Sequence, residues 1–136
     1  HVFSIINGFP AGATIHEIDG TIDNGPIICR RQVQVLPGDT SDTLYERIIE
    51  TELMLLEIHI DIILDGTYHT FPNMIEGNYN SLADFKRLCE LNPSEIGTFK
   101  DFLNKLRALS HGDYWNAHID DTYYKLQINE NNNPNF

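Results

Sequence analysis

The chain has 136 residues, enough for one domain with its own core or for part of a larger domain. Its 41% hydrophobic and 21% charged residues are typical of a globular protein and exclude disordered, collagen-like and fibrous classes. The formal net charge of −11 makes nucleic acids and anionic membranes unfavourable partners.

Two widely separated cysteines, Cys29 and Cys89, indicate neither a disulfide framework nor a zinc ribbon, so a reducing compartment fits. No apolar run reaches the roughly 18 residues of a membrane helix, and no signal sequence is evident. These features favour a cytoplasmic protein. The chain opens on an apolar run, Val2 to Ile6, with no capping or turn signal before it. This start resembles the middle of a longer polypeptide, and the run is a candidate partner strand or interface.

Alternating hydrophobicity predicts two strands in the first part of the chain, at residues 13–18 and 27–36. A loop rich in glycine and proline separates them. A long helix is predicted at about residues 42–64, with a capping box at Thr43-x-x-Glu46 and a stop at Gly66. Its apolar positions occupy more than one side, which predicts that the helix is covered on more than one side.

Two shorter helices and a hairpin are predicted in the second part of the chain. Ser81-x-x-Asp84 and Thr98-x-x-Asp101 each place a hydroxyl at a helix cap and a carboxylate near the positive helix end. Residues 115–119 and 122–128 alternate on either side of Asp120-Asp121, which predicts a β-hairpin. The asparagine-rich end is expected to fray.

The loop between the two predicted strands holds the most informative carboxylate, Asp23. It follows a strand end, where open α/β sheets generally bind their ligands, and a carboxylate there can orient a histidine or a water. An Asx-type turn made by Asp23 and Asn24 is an equally simple interpretation of the spacing. A calcium loop is excluded, because the acidic twelfth position of an EF-hand is absent.

The same loop resembles the signature of the folate-dependent formyltransferases. The resemblance rests on Thr14-Ile15-His16, Ile18-Asp19 and Ile22-Asp23-Asn24-Gly25-Pro26-Ile27. Residues 105–111 together with 114–117 are similar to a stretch of the sugar N-formyltransferases, which act on nucleotide-linked amino sugars. The departures are Lys105, where the family has arginine, and His111-Gly112-Asp113, where it has a turn with proline.

The resemblance implies an α/β fold. Residues 1–68 would form the C-terminal half of a Rossmann-like formyltransferase domain. Residues 69–136 would form a small α/β subdomain that ends in a β-hairpin. The implied function is transfer of a formyl group from 10-formyltetrahydrofolate to the amine of an amino sugar carried on dTDP, for surface polysaccharides such as O-antigen. A homodimer is a further expectation, and no metal is predicted.

Site residues follow from the same resemblance. The family uses an asparagine, a histidine and an aspartate, of which only the aspartate has a match here, at Asp23. The other two lie upstream in the family, so this chain alone is expected to be inactive. The family holds its pterin ring through backbone groups of the loop that corresponds to Ile18, Asp19, Gly20, Thr21 and Ile22.

For the sugar nucleotide, Tyr79, Tyr114 and Trp115 are candidates for stacking on the base, and Arg107 and His111 for contact with a phosphate. Simpler interpretations stand beside these. The aromatic residues could pack in a core, and Arg107 could pair with Asp101 or Asp113. The rival function is a non-catalytic module that binds a nucleotide sugar, a folate or a partner subunit.

Overall fold

The structure is a computed structural model that describes residues 1–20, 25–74 and 79–129. The chain divides into two compact units. The sheet unit takes residues 10–34 and 45–79, and the helical unit takes residues 1–9, 35–44 and those from 80 onward. Each unit draws residues from both sides of position 68, the boundary that the sequence predicts. Within the described ranges, no helix combines the length and apolarity needed to cross a membrane.

The sheet unit contains an antiparallel pair of strands. Strand β1, Ala11–His16, pairs with β2, Ile27–Val33, and the register places Ile15 opposite Cys29. Both predicted strands are confirmed with shifted ends: β1 lies two residues earlier than expected, and β2 ends three residues earlier, at Val33. The ladder is irregular between Ile15 and His16. Ala13, Cys29 and the helix residue Leu55 form a small core, with Ile15 packed against it.

The long helix α1, Ser41–Leu64, is confirmed and begins one residue earlier than predicted. The expected box at Thr43-x-x-Glu46 is wrong. Thr40 precedes the helix instead, and its backbone N–H and hydroxyl exchange hydrogen bonds with the hydroxyl and backbone N–H of Thr43, at 3.1 and 3.4 Å. A hydroxyl residue directly before the helix therefore satisfies the orphan donors of its first turn.

Only one side of α1 is covered in the part of the chain that the structure describes. Leu44 and Leu55 lie on the covered side and are buried. Leu53 lies about half a turn away and Leu56 about a third of a turn away, and they are 63% and 45% exposed. The expectation that the helix is covered on more than one side is therefore not met within the described residues.

The apolar start of the chain is a helix, α2, Val2–Asn7. The expectation of a partner strand at this position is wrong. The helix packs on α4, Phe99–Leu109, and Ile5 is its buried residue. Gly8 ends the helix in the left-handed conformation, at φ 66°, which glycine adopts without steric cost.

The two shorter helices, α3 (Leu82–Cys89) and α4, begin where the sequence predicts. Each has a reciprocal capping box. The hydroxyls and backbone N–H groups of Ser81 and Thr98 donate to Asp84 and Asp101, and these bonds hold the pKa values of both carboxyls below their usual range. Their core is formed by three buried residues: Cys89, Leu109 and Ala117.

Two small hairpins complete the helical unit. The predicted one is confirmed but shorter, with β5, Ala117–Ile119, paired to β6, Thr122–Tyr124. Asp120 lies at its turn with φ 48°, a conformation that aspartate tolerates better than most residues. The sequence predicts only a turn near Gly112, whereas β3, Ser110–His111, and β4, Tyr114–Trp115, pair across it.

Candidate functional site

The loop between β1 and β2 is closed at its base by the backbone. The N–H of Glu17 donates to the carbonyl of Pro26 at 2.9 Å. A Cβ at Gly25 would lie 1.8 Å from the carbonyl oxygen of Glu17, which no side chain tolerates. Gly25 is therefore required by the close approach of the two loop ends.

Contacts from residues 67–71 secure both ends of this loop. The phenol of Tyr68 donates a hydrogen bond of 2.9 Å to the Glu17 carboxylate, and the bond and the negative charge raise the pKa of Tyr68. The backbones of Ile27 and Phe71 exchange two hydrogen bonds, of 2.8 and 2.9 Å. Sequence reasoning missed Tyr68 because nothing in its local pattern links it to a residue 51 positions away.

Part of the predicted catalytic loop lies outside the described residues. Asp23, Thr21 and Ile22 belong to that part, and their roles stay predictions. Ile18 and Gly20 are described. The Ile18 side chain is 90% exposed, and Gly20 adopts φ 91°. A loop with an outward side chain and accessible backbone suits a ligand that is recognised through backbone groups.

A cavity of about 730 Å³ lies beside the base of the loop, entirely within the sheet unit. It lies within the size range typical of small-molecule sites. Thr14, Arg30 and Gln32 lie on one face of the β1–β2 pair, because alternate strand positions point to the same face, whereas Arg31 lies on the other face. The polar lining residues are Thr14, His16, Arg30, Arg31, Gln32, Glu52 and Asn73.

His16 lies at the junction of loop and cavity. Its Nδ1 is 2.8 Å from the carbonyl oxygen of Glu17, and the side chain is half-buried. His16 is thus a half-buried, hydrogen-bonded residue. Its hydrogen bond also links the strand end to the loop base.

Arg107 acts as a clamp in the helical unit. Its Nε donates to the carbonyl of Asp39 at 2.6 Å, and its Nη2 donates to the carbonyl of Leu36 at 2.7 Å. Nη1 donates to the Asn104 side chain at 2.9 Å. The alternative of an ion pair with Asp101 or Asp113 is therefore wrong. Contact with a phosphate stays a prediction, and the guanidinium is already engaged by neutral oxygens.

His111 contacts the first turn of α1. Its Nδ1 lies 3.3 Å from the Ser41 hydroxyl and 3.8 Å from the Asp42 carboxylate. Its ring is 5.6 Å from the ring of His1 and 6.2 Å from that of Tyr114. The structure thus brings His111 and Tyr114 together, two of the five residues predicted to contact the sugar nucleotide.

The three aromatic candidates are exposed. Tyr79 is 90%, Tyr114 69% and Trp115 58% accessible, so the alternative of core packing is wrong for all three. The ammonium of Lys125 lies 5.9 Å from the Trp115 ring centre, over one face of the indole. Exposure is necessary for stacking on a base, but the stacking itself stays a prediction.

Two sequence families match this chain. "Formyl transferase" matches residues 6–59, which include the loop and most of the cavity wall. "N-formyltransferase dimerization C-terminal domain" matches residues 84–129, most of the helical unit. The chain belongs to the formyltransferase family. Its α/β fold, of the Rossmann-like type found in that family, is also the predicted one.

Relatives narrow the comparison to sugar N-formyltransferases. The dTDP-4-amino-4,6-dideoxyglucose formyltransferase of Mycobacterium tuberculosis is 47% identical over 85% of this chain, and 50% of that protein is covered. A 4-N formyltransferase from Francisella tularensis superposes with a TM-score of 0.92 at 36% identity, covering 95% of this chain and 55% of that one. The chain thus spans about half the length of the relatives it matches.

A third similar structure carries ligands. It is an N-formyltransferase from Helicobacter canadensis, solved with folinic acid and dTDP-3-aminofucose. It matches with a TM-score of 0.76 at 28% identity, and covers 90% of this chain and 45% of that one.

Proposed function

We propose that the complete protein containing this chain transfers a formyl group from 10-formyltetrahydrofolate to the amine of an amino sugar linked to dTDP. The observation that carries the proposal is the 47% identity to a dTDP-amino-sugar formyltransferase over 116 residues. The loop closed by Gly25 and the adjacent cavity supply a site of suitable size. A cytoplasmic location fits this chemistry and is part of the proposal.

Asp23 is the proposed catalytic group of this chain. Its carboxylate would orient the family's upstream histidine and help to remove the proton from the attacking amine. The cosubstrate supplies the formyl carbon. The backbone of residues 18–22 would bind its pterin ring, because ring nitrogens and oxygens match peptide donors and acceptors. The outward Ile18 side chain and the left-handed Gly20 are consistent with such a contact.

The helical unit would contribute to dimer formation and to the nucleotide site. Its match to a dimerization domain supports a homodimer. Its hairpins expose large amphipathic rings, the kind of surface that interfaces use. In this unit, Tyr114 and Trp115 stay candidates for the base, and His111 and Arg107 for a phosphate. Tyr79, a residue of the sheet unit, also stays a candidate for the base.

The test is an assay of the complete gene product with 10-formyltetrahydrofolate and dTDP-4-amino-4,6-dideoxyglucose, with the formamido product detected by mass spectrometry. Asp23→Asn should lower kcat about 10²- to 10⁴-fold, because general acid–base catalysis contributes about that much. Asp61→Asn, an exposed position in α1, is the control and should leave kcat unchanged.

Two results would contradict the proposal. One is a folded wild-type protein that binds a folate or dTDP and forms no product, which would favour the non-catalytic module. The other is an Asp23→Asn variant with wild-type kcat, which would remove the proposed role of that carboxylate.

A further inference from the structure

One face of the β1–β2 pair carries a row of hydrogen-bond donors. Thr14 lies opposite Arg30 in the register, and Gly12 lies opposite Gln32. These four positions alternate with the buried Ala13 and thus share the face away from the small core. A Cβ at Gly12 would lie 2.5 Å from the backbone oxygen of Arg31, so this position requires glycine. All four residues line the same cavity.

The positive charge of this cavity is unusual for the chain. The sequence has only nine basic residues against twenty acidic ones, yet two adjacent arginines, Arg30 and Arg31, line this cavity. Within the described ranges, neither arginine has a carboxylate at salt-bridge distance. Arg31 donates only to the sulfur of Met54, at 3.6 Å, which is a weak acceptor. Unpaired guanidinium groups in a cavity favour an anionic ligand.

Arg30 is also held in position. Its guanidinium carbon lies 5.6 Å from the centre of the Phe71 ring. The backbone of Phe71 is bonded twice to that of Ile27 in β2, so the ring is fixed relative to the strand. Stacking on the ring orients the guanidinium plane and leaves its N–H groups available as donors.

Among the described residues that line the cavity, Glu52 carries the negative charge. Glu52 of α1 lines the same cavity and repels an anion bound there. It lies four residues before Leu56 on a part of the helix that is exposed. Removing Glu52 should therefore change anion affinity in the opposite direction to removing Arg30.

We propose that Arg30, with Thr14 and Gln32, forms a binding subsite for the carboxylate or phosphate oxygens of a substrate. This inference rests on the proposed function, which supplies two sources of such oxygens. One is the glutamyl tail of the folate, and the other is the diphosphate of the sugar nucleotide. A planar guanidinium binds either group through two parallel hydrogen bonds.

The experiment is titration calorimetry on the complete gene product with three probes: tetrahydrofolate with a triglutamate tail, 6-methyltetrahydropterin, which has no tail, and dTDP. Arg30→Gln should lower the affinity for either the triglutamate probe or dTDP by about fivefold to tenfold. The factor is modest because solvent partly screens a charge-assisted hydrogen bond of an exposed group. The probe whose affinity falls identifies the source of the bound oxygens. Glu52→Gln should raise the affinity for the same probe, and neither variant should change the affinity for 6-methyltetrahydropterin.

Arg87→Gln is the matched control. Arg87 is an exposed arginine of α3 that already pairs with Asp84, and it lies in the other unit. Its removal should change no affinity. If the wild type binds the probes, and both Arg30→Gln and Glu52→Gln bind them with wild-type affinity, the subsite is refuted while the proposed function stands. If wild type binds neither tetrahydrofolate nor dTDP, the proposed function fails as well. Should Arg30→Gln not fold, Glu52→Gln decides alone.

Discussion

The two units stabilise their polar groups in different ways. In the helical unit, polar side chains bond to groups of the same unit: two capping boxes begin α3 and α4, and Arg107 binds two carbonyls of residues 36–39. Ser110 is 3% exposed, and its hydroxyl both donates to Leu106 and accepts from Leu126. In the sheet unit, a row of donors instead lines an open cavity. The helical unit thus satisfies these polar groups internally, whereas the sheet unit leaves donors available to a ligand.

Both units expose large apolar side chains. The helical unit exposes the rings of Tyr123 and Tyr124, at 54% and 41%, and also Ile96 and Phe99, at 99% and 77%. The sheet unit exposes aliphatic side chains of α1, among them Leu53 and Leu56. Aromatic rings with a polar end tolerate both water and a partner, whereas contiguous aliphatic surface favours permanent burial.

The largest effect on stability is expected where the loop of the sheet unit closes. Gly25→Ala would place a methyl group 1.8 Å from the Glu17 carbonyl oxygen, so backbone must move. We expect a loss of about 3 kcal/mol in the free energy of unfolding, together with weaker tetrahydrofolate binding. Thermal unfolding and calorimetry measure the two effects.

Gly97→Ala is the control, since its new Cβ would lie 3.4 Å from the Phe102 ring, a tight but adjustable contact. It should leave folate affinity unchanged. Equal stability and affinity in Gly25→Ala and wild type would show that the loop base is not sterically closed, and the contrast between the units would lose its main support.

A smaller loss is expected when the clamp of the helical unit is removed. Arg107→Ala removes one charged donor from each of the carbonyls of Leu36 and Asp39, and we expect about 2 kcal/mol of destabilisation. Urea unfolding measures it, with the exposed Arg87→Ala as control, which should cost less than about 0.5 kcal/mol. If Arg107→Ala keeps wild-type stability but loses dTDP affinity, then phosphate contact, and not the clamp, is its role.

Much of the fold was predictable because its signals are local. The caps at Ser81 and Thr98 and the hairpin turn at Asp120 depend on residues no more than three positions apart, and all three were predicted correctly. The apolar start of the chain was misinterpreted, because six residues without flanking signals fit a strand or a helix equally well. Its packing on α4, about a hundred residues away, selects the helix.

The site was predictable only in part. The motif around Asp23 identified the family, since a short loop signature is contained in consecutive residues. The donors of the cavity were not predicted, because Thr14 and Arg30 become neighbours only through strand register. The clamp was missed for the same reason: Arg107 binds carbonyls 68 and 71 positions earlier. Such long-range hydrogen bonds leave no periodic trace in a sequence.

The smallest effect concerns the capping boxes of the helical unit and depends on pH. The hydroxyls and backbone N–H groups of Ser81 and Thr98 lower the pKa values of Asp84 and Asp101 below the ordinary value of 3.8. A carboxyl group whose pKa is lower in the folded than in the unfolded state stabilises the fold at pH values above its unfolded-state pKa. This stabilisation is lost as the pH falls through the folded-state pKa. At neutral pH, the melting temperature of the wild type should therefore be a few degrees higher than that of the double variant Asp84→Asn/Asp101→Asn.

That difference in melting temperature should shrink steadily once the pH falls below 3.8. Ser81→Ala/Thr98→Ala, which keeps both carboxylates and removes the hydroxyl donors, should show a weaker pH dependence than the wild type, because the backbone bonds alone then lower the two pKa values. Melting curves recorded by circular dichroism between neutral and acidic pH measure both. A constant difference across that range would show that these carboxylates do not couple helix capping to protonation, and the self-contained polar framework of the helical unit would then rest on Arg107 and Ser110.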